Sequence, residues 1–64
     1  MRSIYQTAKN ELKEVANYAK KQYPTDKPAI RETINDHLDF ICKYYNLSEY
    51  HLNLLANYAC SLHP

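Results

Sequence analysis

The stretch YNLSEYHLNLL, residues 45–55, places a tight turn between two helices. Ser48 is a favourable N-cap residue, and Leu47 before it with Leu52 after it is typical of a hydrophobic staple. Asn46 favours the left-handed conformation that commonly follows a helix C-terminus. One helix is therefore predicted to end where the stretch begins, and another to begin directly after Ser48.

Apolar residues recur at helical spacing on both sides of this turn and again nearer the N-terminus. The segment YPTDKP, residues 23–28, separates the first two helices because Pro24 disfavours helix in the residue before it. Thr25 or Asp26 is predicted to cap the second helix, with Pro28 in its first turn. The predicted helices cover residues 3–22, 28–45 and 49–62.

The fold class predicted from this pattern is all-α, a compact three-helix bundle in which residues 1–64 make a single domain. The chain has no glycine, which argues against β-hairpins and excludes glycine-rich phosphate-binding loops. Each helix has an apolar stripe that is predicted to be buried. The stripe residues are Ile4, Ala8, Leu12, Val15, Ala16, Ala19 and Tyr23 in helix one, Ile30, Ile34, His37, Leu38, Ile41 and Tyr45 in helix two, and Leu52, Leu55, Ala56, Ala59 and Leu62 in helix three.

The sequence predicts neither a catalytic site nor a metal site. A chain of 64 residues has little room for both a core and an enclosed pocket, so no enzyme, small-molecule substrate or cofactor is predicted. Glu32, Asp36 and Asp39 recur on the outer side of helix two, as a solvated face or, alternatively, as an acidic patch for a basic partner. No metal site is predicted, because the spacing of the histidines and cysteines matches no standard ligand pair. These residues are His37, Cys42, His51, Cys60 and His63.

The cysteine content and the N-terminal segment bear on the compartment. Two cysteines, Cys42 and Cys60, are fewer than a small secreted domain usually carries. The stretch MRSIYQTAKNELKE lacks the apolar segment of a signal peptide, and no apolar run is long enough to cross a membrane. The expected location is therefore cytoplasmic, with both thiols reduced.

The tetrapeptide ANYA occurs at residues 16–19 and again at residues 56–59. Aligning the two copies matches the predicted buried positions of helices one and three, which indicates two helices with the same packing or, alternatively, a duplicated unit. The outer positions differ, because no Lys, Arg, Asp or Glu follows Glu49. A helix surface that meets only water normally carries charge, so the outer face of helix three is predicted to bind a partner.

The predicted interface combines aromatic and apolar residues at i, i+4 and i+8 with small polar neighbours. Tyr50 is expected to be the one tyrosine that points clearly outward and to be the main anchor. The interface residues are Tyr50, Leu54, Asn57, Tyr58 and Ser61. The expected partner is another protein or a second copy of the chain.

Residues 38–57, LDFICKYYNLSEYHLNLLAN, resemble the helix-turn-helix family. The slots that this family fills with a small residue, a turn residue and flanking apolar residues are held here by Ile41, Cys42, Tyr45, Asn46, Leu47, Leu52 and Leu55. The resemblance implies that helix three reads the DNA major groove as part of a dimer. The DNA-contacting residues that it implies are Lys43, Ser48, Tyr50, His51, Asn53 and Asn57.

The charge of helix three favours protein binding over DNA binding. The helix carries no Lys or Arg, although Arg is the commonest residue in base-specific contacts, and Glu49 at its N-terminus repels phosphate. The first function predicted is therefore a small non-enzymatic binding or regulatory protein that acts through the outer face of helix three. The second is a DNA-binding transcriptional regulator. In its size and its content of Asn, Lys and Tyr, the chain also resembles accessory proteins of phages and other mobile elements.

Overall fold

The computed structural model describes residues 3–64, and within them the chain forms three α-helices. The helices are α1 (Ile4–Gln22), α2 (Lys27–Tyr44) and α3 (Glu49–Leu62). Each end lies within one residue of its predicted position, so the all-α, three-helix fold class is confirmed. Within the same residues, no helix combines the length and the apolarity needed to cross a bilayer.

Each helix begins at a side-chain cap that accepts a hydrogen bond from the backbone N–H three residues further on. The accepting atoms are Ser3 Oγ at 3.1 Å, Asp26 Oδ1 at 3.2 Å and Ser48 Oγ at 3.3 Å. Replacing such a cap by alanine typically costs about 1 kcal/mol. Of the two caps predicted for α2, Asp26 and not Thr25 is the N-cap. Ser48 caps α3 and Pro28 lies in the first turn of α2, as predicted.

The turn between α2 and α3 differs from its prediction at Asn46. No residue among 3–64 has a positive φ, so the left-handed conformation predicted for Asn46 is wrong. The helix instead ends at Tyr45, whose extended backbone (φ −101°, ψ 134°) still donates its N–H to the Ile41 carbonyl oxygen at 2.9 Å. The Tyr45 side chain packs against the core. With its backbone extended there, the chain leaves the helix without a left-handed residue.

The core is small and aliphatic. Its largest fully buried side chains are Leu12, Ile34, Ile41 and Leu55, and truncating such a residue to alanine costs about 2–5 kcal/mol. Alanines around them let the helix backbones approach closely. The buried residues of the described chain are Ala8, Leu12, Ala16, Ala19, Ile30, Ile34, Ile41, Leu55 and Ala59. All of them belong to the predicted stripes, which confirms that part of the prediction.

Three stripe residues that were predicted to be buried lie at the surface. Ile4 and Tyr23 are exposed because they are the first residue of α1 and the residue just beyond its end, outside the part of the helix that its neighbours cover. Ala56 is exposed because α3 turns Leu55 and Ala59 towards the core. Ala56 lies about 100° around the helix from Leu55, beyond the edge of the covered arc. The other stripe residues are half-buried.

Contacts between side chains give the helix directions. Tyr5, near the start of α1, stacks on His51, near the start of α3, with ring centroids 4.8 Å apart, so these two helices begin at the same end. His63, just after α3, has its Nε2 atom 3.2 Å from Asn35 Oδ1 of α2, so α2 runs in the opposite direction. α3 therefore packs on one side of the α1–α2 pair, and over residues 3–64 the other side of that pair stays open.

Candidate protein-binding surfaces

The outer face of α3 is formed by uncharged residues. Glu49, at the first position of the helix, is the last residue of the chain with a Lys, Arg, Asp or Glu side chain. The exposed residues that follow it, here called the α3 outer face, are Tyr50, Asn53, Ala56, Asn57, Cys60 and Ser61. Of these, Tyr50, Asn57 and Ser61 were predicted as interface residues.

Tyr50 is the largest side chain of the α3 outer face, with 68% of its surface exposed. Its ring meets the His51 ring edge-on at 5.5 Å between centroids. The His51 ring is itself held, because it stacks on Tyr5 and its Nδ1 atom lies 3.1 Å from Ser48 Oγ. The Tyr50 side chain is therefore exposed but held in one orientation, so packing a partner on it costs little side-chain conformational entropy.

The prediction that Leu54 lies exposed on the outer face is wrong, whereas Tyr58 was not expected to point clearly outward. Both side chains are half-buried. Tyr58 packs against the core, and Lys9 Nζ of α1 lies 4.9 Å from its ring centroid. Tyr58 therefore lies at the edge of α3 that meets α1. Both side chains support the bundle, and the α3 outer face lies further around the helix.

The residues implied by the helix-turn-helix resemblance are mostly accessible. Lys43, Ser48, Tyr50, Asn53 and Asn57 are exposed. His51 is half-buried and occupied by its contacts within the bundle. The slots of that pattern are filled unevenly: two are buried, three are half-buried and two are exposed. In that order they are Ile41 and Leu55, then Tyr45, Leu47 and Leu52, then Cys42 and Asn46.

The histidines and cysteines do not converge. Over residues 3–64, no group of three or more His, Cys, Asp or Glu side chains has a geometry that holds a metal ion. Cys42 and Cys60 are both free thiols at the surface.

A second exposed apolar surface lies on the open side of the α1–α2 pair. Ile4 and Tyr18 of α1, with Phe40 and Tyr44 of α2, are all exposed large hydrophobic residues. Tyr44 is 73% exposed and Tyr18 is 59% exposed, so the prediction that Tyr50 alone points outward is wrong. A signal for Phe40 and Tyr44 was present in the sequence, because they lie four residues apart on α2 and outside its stripe of three buried isoleucines.

Two hollows run along this side, and together they are here called the α1–α2 groove. The first has a volume of about 320 Å³ and the second about 230 Å³. Ile4, Thr7, Tyr44, Tyr45 and Asn46 line the first hollow. Glu11, Glu14, Val15, Tyr18 and His37 line the second.

Glu11 joins the two hollows of the groove. Its Oε2 atom accepts a hydrogen bond from the Tyr45 hydroxyl, and its Oε1 atom lies 3.8 Å from His37 Nε2. That nitrogen is buried and has no hydrogen-bond partner among residues 3–64. Since a buried polar atom without a partner costs free energy, the His37–Glu11 pair leaves unused hydrogen-bonding capacity at the floor of the groove.

The aromatic side of the groove is ordered by ring contacts. The Phe40 ring stacks on His37 at 5.5 Å, meets Tyr44 at 4.8 Å and meets Tyr45 edge-on at 6.5 Å. Such pairs each contribute about 0.5–1.5 kcal/mol beyond the area that they bury. Phe40 thus contacts the three rings, His37, Tyr44 and Tyr45, that line the groove on the α2 side. The α1 wall carries both carboxylates of the groove.

Comparison of the chain with protein-family models, with curated proteins and with solved structures gave no match.

Proposed function

We propose that this chain is a small non-enzymatic binding protein that contacts a protein partner, or a second copy of itself, through the α3 outer face. The observation that carries the proposal is the absence of charge on the exposed side of α3 after Glu49. An exposed helix face in water is normally rich in Lys and Glu. A face without them is typical of the centre of an interface, from which charged residues are depleted.

The side chains of this face suit a protein interface. Ala56, Asn57 and Cys60 are small, so a partner helix can approach the α3 backbone closely. Tyr50 supplies the aromatic anchor that interfaces favour.

The repeated tetrapeptide provides a matched pair of variants for the test. Asn57→Glu places a charge in the α3 outer face, and Asn17→Glu places the same charge in the same ANYA context on α1. Both asparagines are exposed, so neither change disturbs the core. Light scattering over a concentration series measures self-association, and affinity capture with quantitative mass spectrometry measures other partners.

The expected result is that Asn57→Glu loses self-association or the captured partner, while Asn17→Glu keeps it. A loss that is equal for the two variants, or no loss for either, contradicts the assignment to the α3 outer face. Tyr50→Ala gives an independent reading, since it removes the anchor without adding charge.

The second candidate function is DNA binding with α3 as the reading helix. It is favoured by the four-residue join between α2 and α3 and by the exposed amides of Asn53 and Asn57, which suit bidentate contacts to adenine. Protein and DNA partners respond differently to salt, because binding to DNA releases counterions and its affinity falls steeply with salt concentration. Loss of the captured partner on nuclease treatment, or a steep salt dependence, favours DNA over protein.

A further inference from the structure

We infer that the α1–α2 groove is a second docking surface, and that its occupant is a basic amphipathic helix of a partner protein. The inference is independent of the α3 outer face, which lies on another side of the bundle. It rests on three properties of the groove: its exposed aromatic residues, its carboxylates and the spacing of its two hollows.

Exposed hydrophobic residues are concentrated on the open side of the α1–α2 pair. The described chain has six large hydrophobic residues that are exposed, and four of them, Ile4, Tyr18, Phe40 and Tyr44, belong to this one side. Scattered single residues of this kind are normal, whereas a contiguous set marks an interaction site. Phe40 and Tyr44 are also in ring contact, so they present one ordered surface.

The shape of the groove favours a helix as the occupant. α3 already packs on one side of the α1–α2 pair, and a fourth helix on the open side completes a four-helix arrangement. His37 in one hollow and Tyr45 in the other are eight residues apart, about 12 Å along the helix axis. Residues i and i+7 or i+8 of a partner helix lie at about the same separation on one face, which is the usual spacing of anchors in helix-in-groove binding.

The charge of the groove selects a basic occupant. Glu11 and Glu14 both line the second hollow, and among residues 3–64 no Lys or Arg lines either hollow. Asp36 and Glu32 add exposed carboxylates on α2, on the acidic side of that helix. A partner helix with Lys or Arg beside its apolar anchors therefore meets opposite charge, which favours correct pairing.

The same charges argue against a second copy as the occupant. A two-fold symmetric contact brings the same patch of both subunits together. Glu11 and Glu14 of both copies then lie in one interface, and no Lys or Arg in the described part of the chain lines either hollow to pair with them, so like charges cost free energy. The partner chemistry that fits both the apolar and the acidic parts of the groove is a basic amphipathic helix.

The probe for this proposal is a designed helical peptide of roughly 18 residues, about five turns. It carries Leu at i, i+4, i+7 and i+11, with Lys on the flanking positions. Two control peptides accompany it: one with Glu in place of every Lys, and one of the same composition with the Leu residues spread around the helix. Calorimetric titration against the full chain measures affinity, and NMR amide shifts locate the site.

The expected result is saturable binding of the lysine peptide, with the largest shifts along α1 and α2. Tyr44→Ala and Tyr18→Ala each weaken binding by about tenfold, and Glu14→Lys weakens it by about fivefold. All three residues are exposed, so the variants keep the fold, as circular dichroism checks. Tyr50→Ala, an aromatic truncation on the α3 outer face, leaves the affinity unchanged.

Several outcomes overturn the proposal. They are no saturable binding of the lysine peptide, equal binding of the glutamate or the spread-leucine peptide, an affinity that the three groove variants do not change, or shifts confined to α3. Because Tyr50 and Asn57 do not contribute to the groove, failure here leaves the result for the α3 outer face untouched, and the converse also holds.

Discussion

In α1 the tetrapeptide ANYA buries both of its alanines, Ala16 and Ala19, whereas in α3 the same four residues bury Ala59 and leave Ala56 exposed. The two copies have the same local sequence and the same helical backbone. They differ in how the helix is rotated against its neighbours. The prediction that all buried positions of the two copies correspond is therefore wrong, and four residues at helical spacing do not determine which of them face the core.

The tyrosines of the two copies also differ in burial, but here the α1 residue is the more exposed one. Tyr18 is 59% exposed in the α1–α2 groove, whereas Tyr58 is half-buried, packs against the core and lies beneath the Lys9 ammonium group. The rotation that exposes one alanine of the α3 copy thus turns its tyrosine inward. The difference leaves Tyr18 in the α1–α2 groove and Ala56 on the α3 outer face.

The largest contrast is expected for Ala16→Glu and Ala56→Glu. A carboxylate at position 16 enters the core without a partner, which costs several kcal/mol, whereas a chain of this length has a total stability of about 3–10 kcal/mol. Ala16→Glu is therefore expected to unfold the protein, and Ala56→Glu to change the free energy of unfolding by less than about 0.5 kcal/mol. Urea denaturation followed by circular dichroism measures both. Equal stability of the two variants contradicts the rotation of the α3 copy.

The last alanine of each copy is expected to behave alike, which sharpens the comparison. Ala19 and Ala59 are both buried, so Ala19→Leu and Ala59→Leu each overpack the core and lower the free energy of unfolding by about 1–3 kcal/mol. The same denaturation experiment applies. If Ala59→Leu were neutral, α3 would pack more loosely than described. The stability difference between Ala16→Glu and Ala56→Glu would then no longer report how α3 is rotated.

The tyrosines are expected to give a smaller difference in stability, and here the substitution in α3 costs more than the one in α1. Tyr58→Ala removes a half-buried ring from the core edge and is expected to cost about 1–2 kcal/mol, roughly half the cost of truncating a fully buried aromatic residue. Tyr18→Ala removes an exposed ring and is expected to cost less than about 0.5 kcal/mol. A thermal melt of each variant ranks them, and a larger loss for Tyr18→Ala is the result that conflicts with the structure.

The smallest effect concerns Lys9, which lies over the Tyr58 ring. A cation over an aromatic ring at an accessible site contributes about 0.5–1 kcal/mol. A double-mutant cycle of Lys9→Met and Tyr58→Leu is expected to give a coupling energy of about 0.5 kcal/mol in the free energy of unfolding. Lys13→Met with Tyr58→Leu is the control cycle, and coupling of the same size there argues against a specific contact between Lys9 and Tyr58.

Much of the fold could be predicted from particular residues. Asp26, Ser48 and Pro28 mark the helix starts because side-chain capping and the missing proline N–H act within one turn of the chain. The nine buried residues were all within the predicted stripes, because the period of apolar residues directly reflects a buried helix side. Asn46 was predicted wrongly because the end of α2 depends on how Tyr45 packs against the rest of the bundle.

The candidate surfaces could be predicted only in part. The lack of charge after Glu49 is visible in the sequence, and it led to Tyr50, Asn57 and Ser61. The placement of Leu54 on the exposed face was wrong, because the burial of a residue beside the apolar stripe depends on how α3 packs against its neighbours. The α1–α2 groove was missed, since Ile4, Tyr18, Phe40 and Tyr44 come together only through the packing of two helices.

The sequence by itself determined where the helices begin to within one residue, which residues are apolar enough to form the core, and that α3 lacks charge on its outer side. These properties depend on interactions within a few turns of one helix. The tertiary structure decided which part of each apolar arc is covered, because the arcs are wider than the contact that a neighbouring helix makes. Tyr18 and Tyr58 occupy the same position in two copies of one tetrapeptide, yet Tyr18 is exposed and Tyr58 is half-buried.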